Sequence, residues 1–325
     1  MKILFIGCNS FICFSLIKYI DQIKIFRPDL KLFLVSRSNL RNELIHHIKN
    51  FKKIDLNIDN KKLIKLIKNF KPNVILNFSA QSIVQESWKY PLDWFQTNLL
   101  SNVELLDYLK NTDFVDRYVQ SSTPEVYGFT KGKIKENFQY SPSTPYATSK
   151  ASIDFLLKNY HDSFSFPVIF SRIANIFGPG QQVFKIIPKT IISIKKKIKI
   201  PIQGEGLSKR SFIYSDDVSD ALFKILNKGK VGQIYHISEN KLITIKDLVK
   251  KICKIMSVNF NKSVFFVSER IGKDPIYELN SKKIRKQLNW KPKINLDKGI
   301  IKTINWVYNN FKKLKNVKLN YEHKK

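Results

Sequence analysis

The 325-residue chain carries a net charge of +31, from 57 Lys and Arg against 26 Asp and Glu, but the lysines are spread over every segment. That excess draws in an anionic ligand without forming a nucleic-acid-binding stripe, and a content of 43% hydrophobic and 26% charged residues excludes a disordered chain. No apolar run reaches membrane-spanning length, and the three cysteines (Cys8, Cys13, Cys253) have spacings of neither a disulfide framework nor a metal site, so a cytoplasmic, metal-free protein is expected.

Lys2 to Ile6 is a short apolar run ending at Gly7, and Phe11 to Ile20 follows with helical apolar spacing. Strand, tight turn and helix in that order open a dinucleotide-binding unit. The glycine pattern is incomplete: in Gly7-Cys8-Asn9-Ser10-Phe11-Ile12-Cys13 the second and third glycines are Ser10 and Cys13. Both replacements are small, and a helix N-terminus still offers amides to a phosphate. Gly7, Ser10, Phe11 and Ile12 are therefore expected at the cofactor. Leu32 to Val35 reads as the second strand, and where a carboxylate usually holds the ribose 2′-hydroxyl the chain has Ser36-Arg37-Ser38. An arginine flanked by hydroxyls suits a 2′-phosphate, so the cofactor is NAD or NADP, with Arg37 tilting the choice toward NADP.

Leu63 to Phe70 is an amphipathic helix and Val74 to Phe78 a buried strand. Pro91 to Leu109 forms a long helix, and Phe114 to Gln120 leads into the stretch from Ser121 to Lys150. There Tyr146 and Lys150 stand four residues apart, on one helical face. A phenol titrates near pH 10, and a neighbouring ammonium lowers that value, so the pair can act as a general base toward a hydroxyl. Thr123 and Glu125 add a hydroxyl and a carboxylate at the end of the preceding apolar run. Pro167 to Phe170 and Gly232 to Ser238 read as further strands, Thr244 caps a helix through Ile255, and Val264 to Val267 is a late strand. Asp216 is a candidate helix cap. The lysine-rich tail after Phe311 is expected to fray.

Ser122-Thr123-Pro124-Glu125-Val126-Tyr127-Gly128, followed by Tyr146-Ala147-Thr148-Ser149-Lys150, resembles the extended short-chain dehydrogenase/reductase family. Within it the nearest match is the nucleotide-sugar 4,6-dehydratases, those acting on dTDP-glucose in particular, and the likeness extends over nearly the whole chain. It implies an α/β fold: a Rossmann doubly wound parallel sheet (1–176 plus about 212–237) with a smaller mixed α/β C-terminal substrate domain (177–211 plus 238–325). It also implies Thr123, Glu125, Tyr146 and Lys150 as catalytic residues. Asp55 is implied near the adenine, Ser79 and Ala80 beneath the cofactor, and Asn98 in support of the active site. Gln81, Asn175, Lys185, Arg210 and Arg270 are implied on the nucleotide-diphosphate sugar, and a homodimer is implied through the Tyr146 helix and Leu99 to Leu109. In the reaction so implied, C4 is oxidised transiently, Glu125 removes the C5 proton, and water leaves from C6. The dTDP-glucose enzymes carry an aspartate where this chain has Pro124, which cannot donate a proton; GDP-mannose 4,6-dehydratases lack it too. A nucleotide-sugar 4-epimerase and a non-catalytic nucleotide-sugar-binding homologue are the alternatives.

Overall fold

The structure, a computed structural model, describes residues 1–22, 30–45, 48, 50–269, 271–272 and 274–323. Its first-half strands are β1 (Lys2–Ile6), β2 (Lys31–Ser36), β3 (Phe51–Lys53), β4 (Val74–Asn77), β5 (Arg117–Ser122) and β6 (Val168–Ile173). Then come β7 (Asn175–Phe177), β8 (Ile200–Gln203), β9 (Lys209–Arg210), β10 (Phe212–Tyr214), β11 (Ile234–Ile237), β12 (Ile243–Thr244) and β13 (Val264–Val267). Seven of these form one parallel sheet in the order β11-β6-β5-β4-β1-β2-β3. Both faces of the sheet are covered, which is why β1, β2 and β4 are near-continuous apolar runs without polar alternation.

The two-residue period of a strand divides each run between two cores. Ile3 and Phe5 point to one side, where the Phe11–Gln22 and Ser215–Lys228 helices pack; Leu4 and Ile6 point to the other, beneath the Leu56–Phe70, Ser101–Leu109 and Pro145–Phe164 helices. Each fully buried Leu, Ile or Phe there contributes on the order of 1.5–3 kcal/mol. Strand order reverses between β1 and β4, so their C-terminal ends open the crevice in which such a sheet holds its ligand. Doubly wound Rossmann architecture is thus present as expected.

The second half adds three short two-stranded pairings, β7 with β10, β8 with β13 and β9 with β12. Phe177, Ile187, Ile191, Leu248, Ile252, Ile300 and Val307 build a core of its own. Ile284, Leu288 and Trp290 join the Rossmann core instead. Trp290 Nε1 donates to the Asp217 carbonyl at 2.9 Å, and the Asp217 carboxylate accepts the amides of Lys293 and Ile294 at 2.8 and 3.0 Å.

Several local readings change. The helix expected from Leu63 starts at Leu56, because Asp55 caps it by accepting the Asn57 amide at 3.0 Å. Asp216 is not a cap, since Tyr214 holds that position. The helix expected from Pro91 to Leu109 is interrupted by a π-turn at Gln96–Leu100, a distortion common at functional sites. The tail does not fray: up to His323 it lies against the body of the protein. Among the described residues, no helix is long and apolar enough to cross a membrane.

Candidate active site

Strand β5 delivers Ser121 and Ser122, and Thr123 continues in extended backbone before Pro124–Tyr127 closes a single 3-10 turn with Pro124 at its first position. Gly128 ends that turn at φ +63°, where an added Cβ would lie 2.1 Å from the Ser141 carbonyl oxygen, so only glycine fits. The opposite wall is the Pro145–Phe164 helix, whose N-terminus is fixed by Thr144 Oγ1 accepting the Ala147 amide at 3.1 Å and by Pro145 in the first turn. Tyr146 and Lys150 point from this helix into a cavity of about 400 Å³ that Thr123 and Glu125 also line.

One hydroxyl joins the two candidate proton-transfer groups. Thr123 Oγ1 donates to the Glu125 carboxylate and is also hydrogen-bonded with the Tyr146 phenol. Burial pushes the Glu125 carboxyl above its ordinary range; Arg210 and Lys185 pull it back, and Asp274 adds to the rise. Burial, followed by the Glu125 charge, also pushes the Tyr146 phenol up, while Thr123 opposes. Lys150 does not supply the lowering that the sequence suggested. Its Nζ donates to the Ser121 carbonyl at 2.8 Å, and burial draws its ammonium down to about 8. Asp154, one turn further along, accepts from Ser122 Oγ at 2.5 Å; burial pushes it up to about 7 against the pull of Lys150. Behind them the buried Arg172 guanidinium bonds to Tyr127, Tyr140 and the Asn137 carbonyl, bracing the Glu125 turn from below.

Ser10, Phe11, Ile12, Arg37 and Ala80 also line this cavity. Gly7 lies just behind them at φ +76°, with space for a Cβ denied by the Ser79 amide nitrogen at 2.7 Å. Ser10 Oγ accepts the Cys13 amide at 3.3 Å, so it caps the helix, and Cys13 is wholly buried against the sheet. Asn9 ties this turn to the next loop, its Nδ2 donating to Ser38 Oγ at 2.8 Å and to the Asn39 carbonyl at 2.7 Å. A glycine-led turn, a helix N-terminus and an arginine beside one cavity fit a dinucleotide. Arg37→Asp is expected to lower affinity for NADP at least tenfold relative to NAD, because a carboxylate repels a 2′-phosphate; equilibrium titration with both cofactors checks it.

Of the remaining site residues, Gln81, Asn175 and Lys185 line the cavity. Ser79 lies just outside it, its amide donating to Asn77 Oδ1 at 3.0 Å. Asn98 sits in the π-turn and works through its neighbours: its amide group exchanges hydrogen bonds with the Gln81 backbone at 2.8 and 3.1 Å and donates to Ser149 Oγ at 3.0 Å. Asp55 is a helix cap outside the cavity lining. Arg210 is turned away from the lining: its guanidinium donates to the carbonyls of Asp274, Pro275 and Lys209 at 2.8, 3.2 and 2.8 Å and stacks on Tyr277. Arg270 lies outside the described residues. The sequence reading missed Phe184 and Tyr321, which also line the cavity. Phe184 stands beside Lys185 and was within reach of a closer reading; Tyr321 lies in a polar tail that carried no signal.

A protein-family model described as GDP-mannose 4,6 dehydratase matches residues 5–303. Human dTDP-D-glucose 4,6-dehydratase is 32% identical over 310 residues, 93% of this chain and 87% of the human protein. The dTDP-glucose 4,6-dehydratase of Haemophilus influenzae is 30% identical over 332 residues, covering 94% of this chain and 97% of its own. Among solved structures, dTDP-glucose 4,6-dehydratase from Bacillus anthracis in complex with NAD superposes with a TM-score of 0.85 at 28% identity, over 96% of this chain and 98% of that one. With a doubly wound sheet, a dinucleotide crevice and the Thr-x-Glu and Tyr-x-x-x-Lys groups in one cavity, the chain belongs to the GDP-mannose 4,6 dehydratase family of nucleotide-sugar dehydratases within the extended short-chain dehydrogenases/reductases.

Proposed function

We propose that this chain converts a nucleotide-diphosphate hexose to its 4-keto-6-deoxy form, using Tyr146, Thr123, Glu125 and Lys150. The observation that carries the reading is the Thr123 hydroxyl, bonded on one side to a phenol and on the other to a carboxylate. Such an arrangement sets a base for an O–H and a base for a C–H against neighbouring carbons of one ring. Gly7, Ser10, Phe11, Ile12, Arg37, Ser79 and Ala80 hold the dinucleotide, with Asp55 toward its adenine. A dinucleotide held by these residues would supply the hydride acceptor for sugar C4 and the hydride donor for C6.

Tyr146 Oη takes the proton of the 4-hydroxyl while Thr123 Oγ1 holds that oxygen. Burial raises the Tyr146 phenol, so its work as a base calls for the Lys150 ammonium to leave the Ser121 carbonyl and approach Tyr146. The 4-ketone makes the C5 hydrogen acidic. Glu125 takes that proton on its carboxylate and then gives it to the departing C6 hydroxyl, which leaves as water; once C6 has regained hydride, C5 takes up a proton that originates in solvent. Pro124 carries no proton, so the acid and the base are one residue in turn. Pro124 also fixes its own φ and biases Thr123 toward the extended backbone that aims its hydroxyl at Tyr146.

The substrate half, residues 177–211 and 238–325, takes the nucleotide diphosphate through Asn175 and Lys185, with Gln81 at the sugar and Arg270 at the nucleotide. Arg210 acts on the site by field, since its charge draws the Glu125 carboxyl down. A homodimer is proposed through Leu99 to Leu109 and the Pro145–Phe164 helix, whose Leu100, Phe155 and Phe164 are exposed apolar side chains. A cytoplasmic setting accords with three buried free thiols. Incubation with dTDP-, UDP-, GDP- and CDP-hexoses, read by mass spectrometry, tests the reading. One of them is expected to lose one water; no loss from any would reject it.

A further inference from the structure

The C-terminal tail beyond the last helix reaches back across the cleft. Lys196 Nζ donates to the Lys315 carbonyl at 3.1 Å, and Lys189 Nζ to Asn320 Oδ1 at 3.0 Å, which fix the tail to the substrate half. Leu319 packs on that half's apolar core. Tyr321 then enters the cavity wall: its ring meets Phe184 edge-on at 5.3 Å, its hydroxyl donates to Gln81 Oε1 at 3.4 Å, and it lines the same cavity as Arg37. Two residues on, His323 is anchored in the Rossmann half. Its ring stacks on Tyr90 at 4.5 Å and on Trp94 at 5.2 Å, and its Nε2 lies 2.6 Å from Asp93 Oδ2. The His323 side chain is only 7% exposed.

We propose that residues 318–323 form a strap across the cofactor crevice, with Tyr321 as a wall of the dinucleotide site and His323 as the latch that holds it there. Three features point to retention of the cofactor and not to exclusion of it. Tyr321 borders the cavity without filling it, since about 400 Å³ remain with the ring in place. It shares the cavity lining with Ser10 and Arg37, two of the residues proposed to hold the dinucleotide. And the strap joins both halves of the cleft, so a bound dinucleotide leaves only after His323 comes out of its aromatic socket. A cofactor regenerated within each cycle has no need to leave, so a closed strap does not slow turnover.

The test is the dissociation rate of NADH from the full chain, followed by the loss of its bound fluorescence after mixing with excess NAD. His323→Ala and Tyr321→Ala are each expected to speed dissociation roughly tenfold, the scale of one lost aromatic contact pair. Tyr321→Phe, which keeps the ring against Phe184, stays close to the unaltered rate. Should His323→Ala lower the melting temperature of the cofactor-free chain, Tyr321→Ala decides the question, because it leaves the latch in place. Unchanged dissociation in Tyr321→Ala would overturn the strap, as would slower dissociation, which would mark the tail as a plug. The inference rests on this cleft being the cofactor site and not on the sugar reaction; a chain that binds no NADH at all sinks both, whereas an unchanged rate sinks the strap alone.

Discussion

Glu125→Gln is expected to abolish loss of water from the sugar, by on the order of 10³-fold, while reduction of bound NAD by the substrate remains detectable. The amide has nearly the shape of the carboxylate and still accepts from Thr123 Oγ1, so the wall of the cavity is preserved. What disappears is the group that takes the C5 proton and hands it to the leaving hydroxyl. Because Pro124 offers no substitute acid, both halves of the elimination fail together. Product analysis after a single turnover checks this; water loss at the unaltered rate would remove Glu125 from the reaction. The same residue sets the acid side of the pH profile. A base works ionised, and burial raises the Glu125 carboxyl above the ordinary carboxylate range, so turnover falls away at a higher pH than an exposed glutamate would give. Lys185 pulls that carboxyl down, so Lys185→Met moves the acid limb to still higher pH and weakens substrate binding besides.

Tyr146→Phe is expected to lower the oxidation step itself by about 10²–10⁴-fold, and every later step with it. The phenylalanine ring fills the same buried space, so the effect is chemical and the fold is kept. It also removes the phenol from Thr123 Oγ1, leaving that hydroxyl on Glu125 alone. The two variants therefore differ in kind. Glu125→Gln stops after cofactor reduction, whereas Tyr146→Phe shows no reduction. Rapid-mixing absorbance at the reduced-nicotinamide band separates them, and equal reduction by Tyr146→Phe and the unaltered protein would deny the phenol its role.

The sheet and its crevice were legible because they depend on local signals. Apolar runs of β1, β2, β4 and β6 followed by Gly7, Ser36, Asn77 and Ser171 read as buried parallel strands without tertiary knowledge. The pairing of Tyr146 with Lys150 was legible for a related reason: their four-residue spacing fixes their common face whatever surrounds the helix. Charge state was not legible. The sequence puts an ammonium beside a phenol, and only the fold turns Lys150 toward Ser121 and removes both groups from water. Arg210 misled in the same way, since a guanidinium suits a diphosphate in any sequence, while the carbonyls of Asp274 and Pro275 claim it here. Tyr321 was out of reach, because its place in the cavity wall depends on a tail crossing between two halves of the molecule.

The most direct test of the central claim is to run the active nucleotide-hexose in heavy water and locate deuterium in the product. If Glu125 removes the C5 proton next to a ketone that Tyr146 has helped to form, the product lacks one water and carries solvent deuterium at C5. A product that keeps all its oxygens and an unlabelled C5 would contradict the account and leave only inversion at C4.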